Sequence, residues 1–282
     1  IIDAMQSPLR PCTLDGLKRR TRVLMGRCQG FNCLAPVART VCEEFKLPMQ
    51  AVTKCGPGSE IVTSVQASRL ERTALTHPKD PAEIPDHYRV AIVGAGPAGI
   101  GVAVGLAERG IDSVVLIERA GSLGGVPAIY DPKRGGVRTF VVPSRGEGVY
   151  GRQYVNLLAR KLDQTSSILH LNTHVLDAGL NERSLTIVSP SIGKRTITAD
   201  AIIFACGSRE QTRAERGWIN GSRPARVFHT MQLLELLDGD HCLPSVTPAV
   251  IGSDLIAWSA AAKLKAAGAD QVAMLDRCTR PR

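Results

Sequence analysis

The chain has 282 residues, 44% of them hydrophobic, which is enough for two ordinary globular cores and excludes a disordered or fibrous protein. Aromatic residues make up only 4%, which argues against a stacking platform for single-stranded nucleic acid, and a formal charge of +9 selects no partner by itself. Eight cysteines and no secretory leader fit a reducing cytoplasm rather than a disulfide framework.

At the start, "IIDAM" reads as the interior of a helix, and at the end "LDRCTRPR" stops just after a strand; both ends are those expected of a piece of a longer chain. The densest basic run, "LKRRTR" at Leu17 to Arg22, reads as a solvated face or as a counter-charge to a bound anion rather than a DNA contact. Cys28 and Cys33 have four residues between them, with glycines on both sides of Cys28, and Cys33 opens a helix whose apolar face is Leu34, Val37, Val41 and Phe45. A cysteine at a helix start is expected as a thiolate. Thiolates beside glycines that expose backbone N–H groups suit an iron–sulfur cluster; a zinc site and free buried thiols are the competing readings. A cluster needs four ligands, and Cys12, Cys42 and Cys55 have no convincing spacing, so the missing pair is expected upstream of Ile1. No Cys-x-x-Cys occurs, which leaves dithiol exchange without support. A polar stretch with Pro78, Pro81 and Pro85 then reads as a linker over 68–87, separating a small helical module at 1–67 from the remainder of the chain.

From Val90 to Ala107 there are 18 residues without an ionisable group, the lower threshold for a membrane span, and Gly101 and Gly105 have the spacing of packed spanning helices. The run nevertheless opens with β-branched residues and breaks at Gly94, Gly96 and Pro97 before turning helical, so strand, tight turn and helix are predicted. Gly110 suits the helix C-terminus, and "SVVLIE" at 113–118 is a short apolar strand ending in an acid. The whole predicts a βαβ unit with Gly94-x-Gly96-x-x-Gly99 at its first turn and Glu118 nineteen positions past the third glycine. Gly94 permits the turn, Gly96 lets backbone approach a pyrophosphate, and Gly99 lets the helix lie close on the strand. Pro97 suits the first helical turn, whose N–H groups, with Ala95 and Ala98 beside them, attract phosphate. Glu118, with Arg119 next to it, is placed to accept from ribose hydroxyls.

Beyond it, Gly124-Gly125 frees backbone to run along a ligand. Tyr154, Leu157, Leu158 and Leu162 have helical spacing, and strands are predicted near "ILHLN" and "HVLDAGL", the latter offering Val175 as a further cofactor contact. "SLTIVSP" and "KRTITADAIIFACGSRE" alternate like a hairpin entering a buried strand that ends at Ala205-Cys206-Gly207. Cys206 reads as a small buried packing residue, and His170 and His229 as structural rather than as proton donors.

The unit recurs. With an offset of 158, Gly94, Leu106, Gly110, Asp112 and Arg119 match Gly252, Leu264, Gly268, Asp270 and Arg277, and Asp276 takes the place of Glu118. Two such units are what a chain needs to bring two dinucleotides together. In the second, Gly96 becomes Asp254 and Gly99 becomes Ala257. An Asp beside a pyrophosphate costs up to about 4 kcal/mol per close charge pair at an effective dielectric near 20, so NAD(P) binding there is left open against a scaffold role.

"TLDGLKRRTRVLMGRCQGFNC" resembles the bacterioferritin-associated ferredoxin-like [2Fe-2S] module that follows the catalytic part of anaerobic-type glycerol-3-phosphate dehydrogenases, with Cys28 and Cys33 matching its second cysteine pair. "GAGPAG", "LGGVP", "ACGSRE" and "RPARVFHTMQLLELL" resemble the FAD/NAD-dependent pyridine nucleotide oxidoreductases encoded beside such dehydrogenases, and opine and hydrogen cyanide synthase subunits. The resemblance implies an α/β fold: a Rossmann-like FAD-binding domain at 88–245, then the start of an NAD(P)-type Rossmann unit at 246–282. It implies FAD as cofactor, a [2Fe-2S] cluster whose ligands are incomplete in this chain, and Ala205-Cys206-Gly207 where the flavin nucleotide is touched. The expected partners are a small-molecule substrate, with glycerol 3-phosphate the leading candidate, and other dehydrogenase subunits or domains. No nucleic acid and no transmembrane segment are expected, and the location is cytoplasmic, peripheral to the inner membrane only through partners.

Overall fold

The computed structural model describes residues 1–26, 28–31, 33–65, 84–129, 140–142, 146–212, 215, 217 and 225–276. In chain order these form α1 (Ile2–Gln6), α2 (Leu14–Thr21), α3 (Leu34–Phe45), β1 (Ser64–Val65), β2 (His87–Val93), α4 (Pro97–Ala107) and β3 (Val114–Ile117). Next come β4 (Phe140–Val142), β5 (Glu147–Val149), α5 (Gly151–Leu162), β6 (Ile168–His170), β7 (His174–Gly179), β8 (Ser184–Ser189) and β9 (Gly193–Phe204). The last are α6 (Thr230–Leu234), β10 (Cys242–Leu243), β11 (Ala249–Ile251), α7 (Leu255–Ala266) and β12 (Ala273–Leu275). They divide into two compact units: described residues up to 65 and from 209 onward in one, those from 84 to 208 in the other. Most of the linker expected at 68–87 lies outside the described residues, as does Arg277.

The first unit draws its core from both ends of the chain. Met5, Leu14, Leu17, Val37 and Met49 pack with Leu236 and Cys242, and β1 pairs antiparallel with β10. The face of α3 is the expected one, with Val37 buried and Leu34, Val41 and Phe45 packed against the core. Thr13 caps α2 by accepting from the Gly16 N–H at 3.0 Å, and Lys18, Arg19 and Arg20 occupy its last turn, where cations complement the helix dipole. The basic run therefore serves a helix end. In the same unit β11 and β12 are parallel and joined through α7.

The second unit is built on a six-stranded sheet of order β6-β3-β2-β9-β8-β7. The first four strands are parallel, with α4 and α5 as crossovers, whereas β8 runs antiparallel to both its neighbours, β9 and β7. Strand alternation fills both faces: Val90, Ile92, Val114 and Leu116 meet Ile100 and Ala103 of α4 and Val155 and Ala159 of α5. Tyr88, Ala91, Val115 and Ile117 turn the other way, onto Leu185, Ile187, Ile197 and Ala199. The 18-residue apolar run is thus shared between β2 and α4, and among the described residues no helix is long and apolar enough to cross a membrane. The helix expected around Tyr154 is α5; Leu162 is buried and Leu158 packs against the core, but Val155, which lies against Gly124, and Ala159 take the buried positions in place of Tyr154 and Leu157.

Ile92 is fully buried between the sheet and α4. Ile92→Ala should destabilise the second unit by about 2–5 kcal/mol, read as a lower urea midpoint at unchanged slope.

Candidate functional site

At the carboxyl end of β2 the chain turns sharply at Gly94, whose φ is +106°. A Cβ there would strike the Ala205 carbonyl, so the end of β9 presses on the end of β2. Gly99 carries a second constraint, since a Cβ on it would run into the Gly94 carbonyl; only a bare Cα lets α4 start this close to the strand. Gly96 differs. The nearest atom to a Cβ there is the Gly125 Cα at 4.0 Å, so the space beside it is open. Gly96 is the N-cap of α4, Pro97 comes next at the helix start, Ala98 is exposed, and no side chain caps the helix. Among the described residues no side-chain anion caps the first-turn N–H groups, which are left for this opening.

Four further segments converge here. Gly124 donates its N–H to the Ala95 carbonyl at 2.7 Å, and Gly125 lies exposed against Gly96. Glu118, at the end of β3, is 9% exposed and accepts from the Ala95 N–H and the Ala120 N–H, both at 2.9 Å. Arg119 beside it is exposed. Asn172 and Thr173, after β6, donate their N–H groups to the Ala120 and Glu118 carbonyls at 3.0 and 2.9 Å. They were not singled out from sequence, although their place just past the carboxyl end of a parallel strand is the available signal. Val175, two residues on, is half-buried on β7 opposite Ile187. Ala205 donates its N–H to the Val93 carbonyl at 2.8 Å, and Gly207 has φ +69°. Cys206 corrects the sequence expectation of burial: it is exposed, just past the end of β9 at Phe204, with its thiol 3.7 Å from the Val93 carbonyl.

The second strand–helix–strand unit has the same backbone turn and different chemistry. Gly252 has φ +123° and donates its N–H to the Leu275 carbonyl at 2.8 Å, as Gly94 does to Ile117. Here, however, Asp254 is the N-cap of α7, and its carboxylate accepts from the Ala257 N–H at 2.8 Å. The Ser253 hydroxyl hydrogen-bonds the Asp276 carboxylate.

Residues 88–282 match the pyridine nucleotide-disulphide oxidoreductase family. The chain belongs to that family. It is 28% identical over 190 residues to an uncharacterized monooxygenase of Sinorhizobium fredii, covering 61% of this chain and 28% of that protein. It is 34% identical over 71 residues to a glycerol 3-phosphate dehydrogenase of Caloramator mitchellensis, covering 25% of this chain and 15% of that protein. Among solved structures, L-proline dehydrogenase from P. horikoshii is similar with a TM-score of 0.52 and 26% identity, over 69% of this chain and 36% of that one. The chain thus spans about a third or less of each of these proteins. The α/β Rossmann-like fold expected from sequence is that of this oxidoreductase family.

The residues around Gly96 fit FAD, the family's flavin. An uncapped helix start, an opening that a Cβ at Gly96 would enter, and a carboxylate at the end of β3 match the pyrophosphate and ribose of an adenosine diphosphate in turn. The fit is weaker for the cluster. Among the described residues no group of three or more His, Cys, Asp or Glu converges as a metal site would. Cys28 and Cys33 are both half-buried and close enough to repel one another as thiolates. The thiolate expected of Cys33 at the start of α3 is corrected: burial pushes its thiol above the ordinary value, outweighing the backbone hydrogen bonds that favour the anion. The Arg209 guanidinium, paired with Glu215 through bonds of 2.8 and 2.6 Å, lies in the electrostatic reach of Cys28. His170 is buried on β6, and His229 caps α6 with Gln232 while its ring stands 5.7 Å from that of Phe31.

Gly96→Ala should leave the unfolding midpoint of the protein close to wild type while weakening FAD retention by about tenfold or more. Gly99→Ala should instead lower stability by about 1–3 kcal/mol, because the new methyl group meets backbone rather than open space. Alkylation gives a second check. Cys12, Cys55 and Cys206 are exposed, whereas Cys242 is buried and its thiol is pushed up to about 12 by that burial, so it stays protonated until the pH climbs towards that value. Near pH 8.5, iodoacetamide should modify Cys12, Cys55 and Cys206 and reach Cys242 only after denaturation, as read by peptide mass spectrometry.

Proposed function

We propose that this chain is the flavin-binding part of a dehydrogenase that oxidises a small metabolite and hands the electrons to a [2Fe-2S] centre. The observation that carries the reading is the open, uncapped start of α4, flanked by Gly125 and by the Glu118 carboxylate. Bound FAD would supply the capacity to accept an electron pair and release electrons singly. Gly96 and Gly125 would leave the pyrophosphate its room, the first-turn N–H groups of α4 would bind its charge, and Glu118 would orient the ribose. The loop of Asn172 and Thr173 would hold Glu118 in place, with Val175 beside the adenosine end. Gly94 and Gly99 would act earlier, by fixing where α4 begins. The turn Ala205-Cys206-Gly207 would close one side of the seat.

For the substrate, similarity to a glycerol 3-phosphate dehydrogenase and to L-proline dehydrogenase supports a small metabolite, and glycerol 3-phosphate is the first to test. Cys28 and Cys33 would supply two of the four thiolates of the cluster, with Arg209 offsetting their charge; the described residues offer no further pair. The domain reading, with a cluster module at 1–67 and a flavin domain at 88–245, belongs to this proposal, as does a cytoplasmic location. A direct NAD(P)H:acceptor reductase is the second reading, favoured by the turn at Gly252, which keeps the geometry of Gly94.

The purified complete protein should be yellow and contain iron and acid-labile sulfide, and its flavin bands should bleach on anaerobic addition of glycerol 3-phosphate or proline. Bleaching by NADH alone would replace this reading with the reductase. A colourless protein that takes up no added FAD would remove both.

A further inference from the structure

The family name implies a pyridine nucleotide, yet the second strand–helix–strand unit does not fit one as it stands. The two units share a turn and differ in what occupies the helix start. At α4 the N-cap is Gly96 and no side chain takes the first-turn N–H groups. At α7 the Asp254 carboxylate holds the Ala257 N–H at 2.8 Å, so the place where a pyrophosphate would bind already contains a fixed negative charge. The acid at the end of the neighbouring parallel strand differs as well. Glu118 accepts from backbone N–H groups in the first unit, whereas Asp276 is engaged by the Ser253 hydroxyl, the side chain at the position matching Ala95. The third glycine position is also changed. Gly99 has no space for a Cβ, but Ala257 carries one, and it would stand 3.6 Å from a Cβ on Gly252. Alanine at the third position stays within the pattern such units tolerate, so the substitution that falls on the phosphate seat itself is Gly96 to Asp254, while Ala95 to Ser253 changes the partner of the terminal acid.

We infer that Asp254 is the residue that closes the β11–α7–β12 repeat: its carboxylate takes the seat of the dinucleotide phosphates, and NADH or NADPH gains access only when that carboxylate is removed or displaced. The inference rests on the family's nicotinamide fold and is independent of whether the β2–α4–β3 repeat retains FAD.

The test is NADH and NADPH binding to the complete protein, followed by calorimetry and by the fluorescence of the reduced nicotinamide, with flavin content read from the absorbance of the same samples. Asp254→Gly restores the first unit's pattern, and Asp254→Asn keeps a helix cap without the charge. Both variants should bind NADH at least about tenfold more tightly than wild type, with far-ultraviolet dichroism unchanged. Equal binding by wild type and both variants, whether tight or absent, would overturn the inference. Loss of flavin from every sample would count against the proposed function and leave the comparison of NADH binding intact.

Discussion

The fold of the second unit depends on how closely α4 can approach the end of β2. The Cα of Gly99 lies so near the Gly94 carbonyl that a single methyl group has no place between them. That approach fixes the start of the helix, and the start of the helix fixes where its unpaired N–H groups point. Around this one contact the other segments assemble: the Gly124 N–H on Ala95, the Glu118 carboxylate on the Ala95 N–H, and the Ala205 carbonyl against Gly94. Each uses the backbone of residues 94–99 rather than a side chain. The opening beside Gly96 is therefore defined by main-chain geometry, which changes little with the identity of exposed neighbours.

Comparing the duplicated units separates the scaffold from the chemistry. Gly94 and Gly252 take the same left-handed turn and make the same hydrogen bond to the neighbouring parallel strand, so both units satisfy the same backbone requirement. What differs is the charge at the helix start. A carboxylate N-cap such as Asp254 stabilises the helix that carries it, and a glycine N-cap such as Gly96 leaves that stabilisation to come from elsewhere. The contrast is the familiar tension between a stable helix terminus and a receptive one.

Much of this was legible in the sequence because glycine spacing and strand alternation report directly on backbone geometry. The βαβ unit, its terminal Glu118, the hairpin of β8 and β9 and the helical face of α3 follow from such patterns. Side-chain environments were less legible. Cys206 was expected inside and is exposed, since the sequence does not tell that β9 stops at Phe204. Cys33 was expected as a thiolate from its place at a helix start, but desolvation by the surrounding core outweighs that effect, and burial depends on residues distant in sequence. The same holds for the first unit's core, where Met5 and Leu17 meet Leu236 and Cys242.

Strand β9 is twelve residues long and changes partner along its length: it runs antiparallel to β8 from Gly193 to Thr198 and parallel to β2 up to Phe204. A strand held this way is a lever with two fulcrums. Its outer end is gripped by a surface hairpin and its inner end delivers Ala205-Cys206-Gly207 to the edge of the proposed cofactor seat. Disturbance at the hairpin is consequently transmitted along a stiff backbone to that turn, and a chain shortened there would lose the alignment of its far end as well as the loop itself.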